Sequence, residues 1–172
     1  MTSARLLATL ATLLMVGCNT PDIPSELAAV YVEAPNSASN SSRQELKLPV
    51  SGIVIPVLVR PLVLAEEILN TTPITSGESD LRQEFLLVQI DRRSATDVMN
   101  YTKEAIGRHF ILVINDSAVG IMPIDAVITD GNLIFHVEKK GMSNTEAVMD
   151  ISKRLNISAL KLRKIMEAEK SR

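Results

Sequence analysis

The chain of 172 residues holds one cysteine, Cys18. An internal disulfide is excluded, so whatever folds must stand on its hydrophobic core without a covalent staple. The position of that thiol matters as much as its being single. Cys18 closes the run "RLLATLATLLMVGC", in which Leu6 to Val16 are an apolar stretch of 11 residues behind the basic Arg5. That is the length of a secretory h-region, and it falls short of the about 20 residues a helix needs to span a bilayer.

The end of this run, "MVGC", has small Gly17 before the cysteine and apolar Leu14 and Met15 upstream. It resembles the lipobox of a bacterial lipoprotein signal, with Met15 where Leu is usual. The resemblance implies a signal peptide over residues 1–17, cleavage before Cys18, and acylation of the Cys18 thiol and its new amine. Each buried CH₂ contributes about 0.8 kcal/mol and a single chain anchors only marginally, so several chains on one residue would hold the protein to a membrane. Asn19 follows the cysteine. Asp there often marks retention at the inner membrane in Gram-negative lipoproteins, so the expected location is the cell envelope, at the periplasmic face of the outer membrane.

Hydrophobic residues make up 46% of the chain but aromatics only 3%, with no Trp, which predicts an aliphatic core. The net charge of −2 offers no cationic surplus to displace counterions from nucleic acid, and stacking platforms for single strands need aromatics. Nucleic acid is not an expected partner.

Residues 18–44, Ser/Asn-rich around "PNSASNSSRQ", read as the lipidated cysteine and a flexible tether. Within them "ELAAVYV" is left without an assignment. A globular domain is expected over residues 45–156 and a charged C-terminal helix over 157–172. "GIVIPVLVR" reads as a strand with Pro56 at an edge. "LVLAEEIL" (62–69) reads as a short helix opened by Pro61, and "TTPITSGESD" as a loop. "QEFLLVQID" reads as a strand apolar on both faces. A helix follows, capped by Ser94 and stopped at Gly107, and then the buried strand "FILVI". "AVGIMPI" and "NLIFHVE" read as further strands, entered through Asn115-Asp116-Ser117 and Asp130-Gly131. "SNTEAVMDISKRL" reads as a helix with a Ser143/Glu146 capping box, and a second helix restarts at Ser158. Strands interleaved with helices predict an α+β fold: a two-layer sandwich of a mixed, mainly antiparallel sheet with helices on one face.

From Val57 to Leu155 an ordered series, "VLVRPLVLAEEI", "YTKEAIGRHFILVINDSAVGIMPI" and "ITDGNLIFHVEKKGMSNTEAVMDISKRL", resembles the periplasmic P1 head subdomain of SecD, the accessory subunit of bacterial protein export. Ser117 stands where that family usually has Gly, and "NISALKLRK" replaces its usual Gly-x-Leu-Pro exit. The resemblance implies that fold and an extracytoplasmic domain that contacts polypeptides. It does not carry proton-driven export, which belongs to the membrane part of that family.

Catalytic motifs are not legible. There is no Gly-x-Ser-x-Gly elbow, no His-Glu-x-x-His pair and no phosphate-cradling Gly cluster. His109 and His136 lack a settled third ligand for a metal. Asp116, Asp125 and Asp130 could offer oxygens to Ca²⁺, but their spacing matches no EF-hand and turn chemistry explains Asp116 and Asp130. No catalytic residue, metal or cofactor is therefore expected. Lys139, Lys140, Lys153, Arg154, Lys161, Arg163 and Lys164 put positive charge on the last helices, read as a solvated face, with an acidic partner or lipid head groups as the sharper reading. The expected function is a membrane-tethered, non-catalytic adaptor for an envelope protein or an extended polypeptide. A structural spacer and an envelope hydrolase with an unconventional site are the alternatives.

Overall fold

The computed structural model describes residues 24, 26–77 and 82–171. Cys18 and the signal peptide expected over 1–17 lie outside the described residues. Eight strands and two helices follow in the order β1 (Ala28–Val32), β2 (Arg43–Lys47), β3 (Val54–Leu58), β4 (Ile68–Ser76), β5 (Gln83–Ile90), α1 (Arg92–Thr102), β6 (His109–Ile114), β7 (Ser117–Pro123), β8 (Asn132–Val137) and α2 (Asn144–Lys170). Six strands form one sheet in the order β1-β6-β7-β8-β5-β4, and β2 and β3 form a separate ribbon. Each ladder is antiparallel. The fold is the expected α+β sandwich.

Side-chain alternation divides the sheet into two faces. Leu86, Val88 and Ile90 of β5, Phe110, Leu112 and Ile114 of β6, and Leu133, Phe135 and Val137 of β8 point to the helix layer. There they meet Val98 of α1 and Val148, Ile151 and Leu155 of α2 in one cluster. On the opposite face Ile111 and Val113 of β6 and Ala118 of β7 are covered by Leu48, Ile55 and Val57 of the ribbon. The ribbon therefore adds a partial third layer, over one half of the sheet only.

Several expectations are corrected. The tether over 18–44 does not hold from residue 28 onward. Ala28 to Val32 pair with Ile114 to Phe110, and Ala28, Val30 and Val32 are buried. This strand owes its conformation to its distant partner β6 more than to its own five residues. The short helix over 62–69 is a single 3₁₀ turn, Ala65–Glu67, which runs straight into β4. The loop after it is most of β4. A proline inside this strand is tolerable because β4 is an edge and the missing N–H of Pro73 need not face β5. Helix α1 is capped by Asp91, which accepts from the Ser94 N–H at 2.8 Å. Ser94 itself is buried inside the first turn. Helix α2 does not break before Ser158. It runs unbroken across the expected boundary at 156/157, because Ser158 and Ala159 are buried and Asn156 is bonded to β4. The capping box Ser143/Glu146 is present, with the Ser143 N–H donating to Glu146 at 2.9 Å.

Candidate functional site

The ribbon leaves β4, β5 and β8 uncovered on its side of the sheet. The residues that alternation turns outward there are apolar to an unusual degree. Ile74 lies opposite Phe85, Leu87 opposite Ile134, and Ile121 opposite both His136 and Ile111. The Phe85 and His136 rings meet edge to face, 6.1 Å between centroids. One row, Ile74–Phe85–His136–Ile121–Ile111, thus runs from the β4 edge to the ribbon-covered cluster without a charged residue. Ile134 is 42% exposed on a sheet face where a strand of this length has neighbours on both sides. Apolar side chains clustered on an open face mark an interaction surface.

Polar groups frame the patch. At one end Asn70 donates to Gln89 and Gln89 to Asn132, at 3.5 and 3.3 Å, an amide ladder across β4, β5 and β8. At the other end the ribbon turn is clamped to the sheet by Glu138. Its carboxylate accepts from the Val50 N–H at 2.9 Å and from the Ser51 N–H and hydroxyl at 3.1 Å. Val50 itself is 60% exposed, so the apolar surface continues onto the ribbon tip beside β8.

Each edge of the large sheet is capped along part of its length. On β4, the Thr71 N–H donates to Asn156 Oδ1 and Asn156 Nδ2 donates to the Thr71 carbonyl, both at 2.8 Å. The side-chain amide of α2 thereby stands in for a neighbouring strand. Arg163 donates to the Leu69 carbonyl beside it. On β1, Val30 exchanges backbone bonds with Leu62 and Val63. Strand addition at either edge of the large sheet is blocked at these residues, and what the molecule presents is a face.

The histidines do not meet. His109, in β6, pairs with Glu33, just after β1, at 2.7 Å, while His136 is an exposed member of the apolar row. Beside His109, Arg108 donates to the Tyr101 hydroxyl at 3.0 Å; burial raises the phenol's pKa against the opposing effect of Arg108. Asp130 accepts from Asn132, whose side chain and N–H hold its carboxyl below the usual range. Asp116 lies in the two-residue turn between β6 and β7, where φ is +46° at Asn115 and +65° at Asp116, the conformation such hairpins require. Among the described residues no three His, Cys, Asp or Glu side chains gather as a metal site would require. A cleft of about 360 Å³ lies between α2 and the β6–β7 turn, lined by Val119, Lys140, Ile151 and Arg154 among others. Along it Lys139 pairs with Asp150 at 2.6 Å and Arg154 with both Asp150 and Glu26, while Lys140 is exposed.

The basic residues divide accordingly. Lys139, Arg154 and Arg163 are engaged in the fold, whereas Lys140, Lys153 and Lys164 project from its surface. The apolar patch was not singled out from the sequence. The signal for it was there, in a strand (Gln83–Ile90) whose middle is apolar on both faces.

An antiparallel sheet with both helices on one face defines an α+β domain of the kind the resemblance to SecD implied. Among solved structures the chain is similar in fold to SecDF. The crystal structure of SecDF in its super-membrane-facing form matches with a TM-score of 0.50 at 13% identity, over 76% of this chain and 18% of that one. A second structure of SecDF, described as a membrane component that enhances protein export, matches with a TM-score of 0.46 at 13% identity, over 76% of this chain and 61% of that one. The chain thus spans less than two thirds of either. No protein-family model and no curated protein matches it. Among the described residues no helix is long and apolar enough to cross a membrane.

Proposed function

We propose that this protein is a membrane-tethered, non-catalytic adaptor of the cell envelope that binds extended apolar segments of other polypeptides, in connection with protein translocation. The observation that carries the reading is the uncharged row from Ile74 through Phe85 to His136, with Leu87 and Ile134 beside it, on the uncovered sheet face. The ribbon supplies the pattern of recognition, since its alternating Ile55 and Val57 already cover the neighbouring half of that face. An extended segment with apolar residues at every second position would continue the same layer. The fold likeness to SecDF, a component that enhances protein export, supports the link to translocation. The lipobox-like "MVGC" supports acylation at Cys18, and Asn19 behind it supports the outer membrane.

The test is site-specific photocrosslinking in intact envelopes. A photoreactive residue at Leu87 or Ile134 should give discrete polypeptide adducts, and one at the exposed Thr96 of α1 should not. Equal, diffuse labelling from all three positions would refute the reading. Separately, Cys18→Ala should release the protein from the membrane fraction and abolish its acylation.

A further inference from the structure

Helix α2 has a second amphipathic face that the core does not use. Its buried side is Val148, Ile151, Leu155 and Ala159. On the outward side Met149, Lys153, Ile157, Leu160 and Lys164 follow at steps of four, four, three and four, the spacing of a single helical stripe. Met149 is 55%, Ile157 46% and Leu160 54% exposed, and both lysines are exposed. The stripe is about 22 Å long at 1.5 Å per residue. Between residues 151 and 166 the chain has five cationic side chains and no acidic one. Glu146 and Glu167 bracket the stripe at its two ends, and Asp150 on its flank is neutralised by Lys139 and Arg154.

The N-terminal segment enters the fold against this same helix. Glu26, 5% exposed, is ion-paired with Arg154, the neighbour of Lys153. Cys18 is eight residues before Glu26, a separation no conformation can extend beyond about 28 Å. Once β1 is counted into the fold, an acyl anchor on Cys18 is therefore a short leash, and it is fastened beside α2.

We infer that the Met149–Lys164 face of α2 docks on an anionic lipid surface, with its lysines at the head groups and Ile157 and Leu160 in the interface. A helix with apolar residues between lysines suits the boundary of a membrane bearing negative charge. The helix layer and the uncovered sheet face lie on opposite sides of the molecule. Docked this way, the protein turns its Phe85–Ile134 patch away from the bilayer and towards water. The inference rests on the acylation of Cys18 given under the proposed function.

The experiment uses the acylated protein in vesicles of phosphatidylcholine with or without phosphatidylglycerol. A nitroxide is placed on a cysteine introduced at Ile157 or, for comparison, at Ile134. In phosphatidylglycerol vesicles the label at 157 should become shielded from a water-soluble relaxant and open to oxygen, while the label at 134 stays in water. Each lysine removed should lower the docked-to-free ratio about fivefold, so K153Q/K164Q should lower it about 25-fold. A label at 157 as wet as that at 134 on a chain whose mass shows acylation would overturn the docking and leave the anchor intact. A mass without acyl groups would overturn the leash and the docking together. Shielding that is indifferent to phosphatidylglycerol and grows with protein concentration would assign the face to a second copy and refute lipid docking.

Discussion

Replacing Asn156 by Ala tests whether α2 closes the β4 edge through one side chain. Asn156 makes three bonds to Thr71: it accepts from the N–H at 2.8 Å and from the hydroxyl at 3.1 Å, and it donates to the carbonyl at 2.8 Å. Thr71 is 2% exposed, so water cannot freely replace what is lost. Two of its three groups keep a partner in the variant. The hydroxyl still reaches the Ser152 carbonyl at 3.1 Å, and the carbonyl still accepts from the Ser152 hydroxyl at 3.0 Å. Only the N–H is orphaned, which costs about 1–3 kcal/mol, and the lost bond to the carbonyl adds about 1 kcal/mol. Ala is the better helix former by about 0.6 kcal/mol, which offsets part of this. The net expectation is a loss of about 1.5–3.5 kcal/mol, read as a lowered urea midpoint at unchanged m-value. Asn156→Asp keeps the acceptor for the N–H and loses the donor, so it should preserve more stability than Ala. A loss below about 0.5 kcal/mol for Asn156→Ala, the range of an ordinary surface change, would refute the edge-capping argument.

Gly120→Ala should destabilise by about 1–3 kcal/mol in urea titration through overpacking, because its Cβ would stand 2.9 Å from Val137 Cγ1 and 3.3 Å from the His136 carbonyl oxygen. Leu87→Thr with Ile134→Thr puts β-branched, strand-compatible but polar residues on an uncovered face; circular dichroism should show the fold intact while polypeptide adducts from a photoreactive residue at Phe85 are lost. The carboxyls of Glu146 and Asp130 lie below their ordinary 4.5 and 3.8, held there by bonds from Ser143 and Asn132 respectively. The folded state then binds fewer protons than the unfolded one, so this stabilisation is complete above those ordinary values and fades as pH falls through the lowered ones. Glu146→Gln should flatten part of that acid-side slope in urea midpoints measured against pH.

Local signals in the sequence were good guides where local chemistry decides the outcome. The capping box at Ser143 and the Asn115-Asp116 turn are of this kind, each set by a few neighbouring residues. Legibility failed where distant partners decide. "AAVYV" is a strand because β6 offers it five paired residues, and no composition of the surrounding Ser/Asn-rich segment announces that. Asn156 and Ser158 look like a helix break, yet β4 gives Asn156 its bonds and the fold buries Ser158. Pro61 and the acidic pair Glu66-Glu67 imitate a helix start, while pairing with β5 draws the chain into β4 directly after one turn. The candidate surface is a mixed case. The doubly apolar middle of β5 is plain in the sequence, but that the ribbon stops short of it is a property of the assembled sheet.

The seam between β7 and β8 has only two registered pairs, Gly120 with Val137 and Ile121 with His136. Strand β1 lies on one side of that seam and most of the apolar patch lies on the other. The two halves of the sheet are also joined by the helix layer, since α2 packs on β4 and β5 and its Arg154 pairs with Glu26 just before β1. The helix layer thus splints the sheet where its own ladder is shortest.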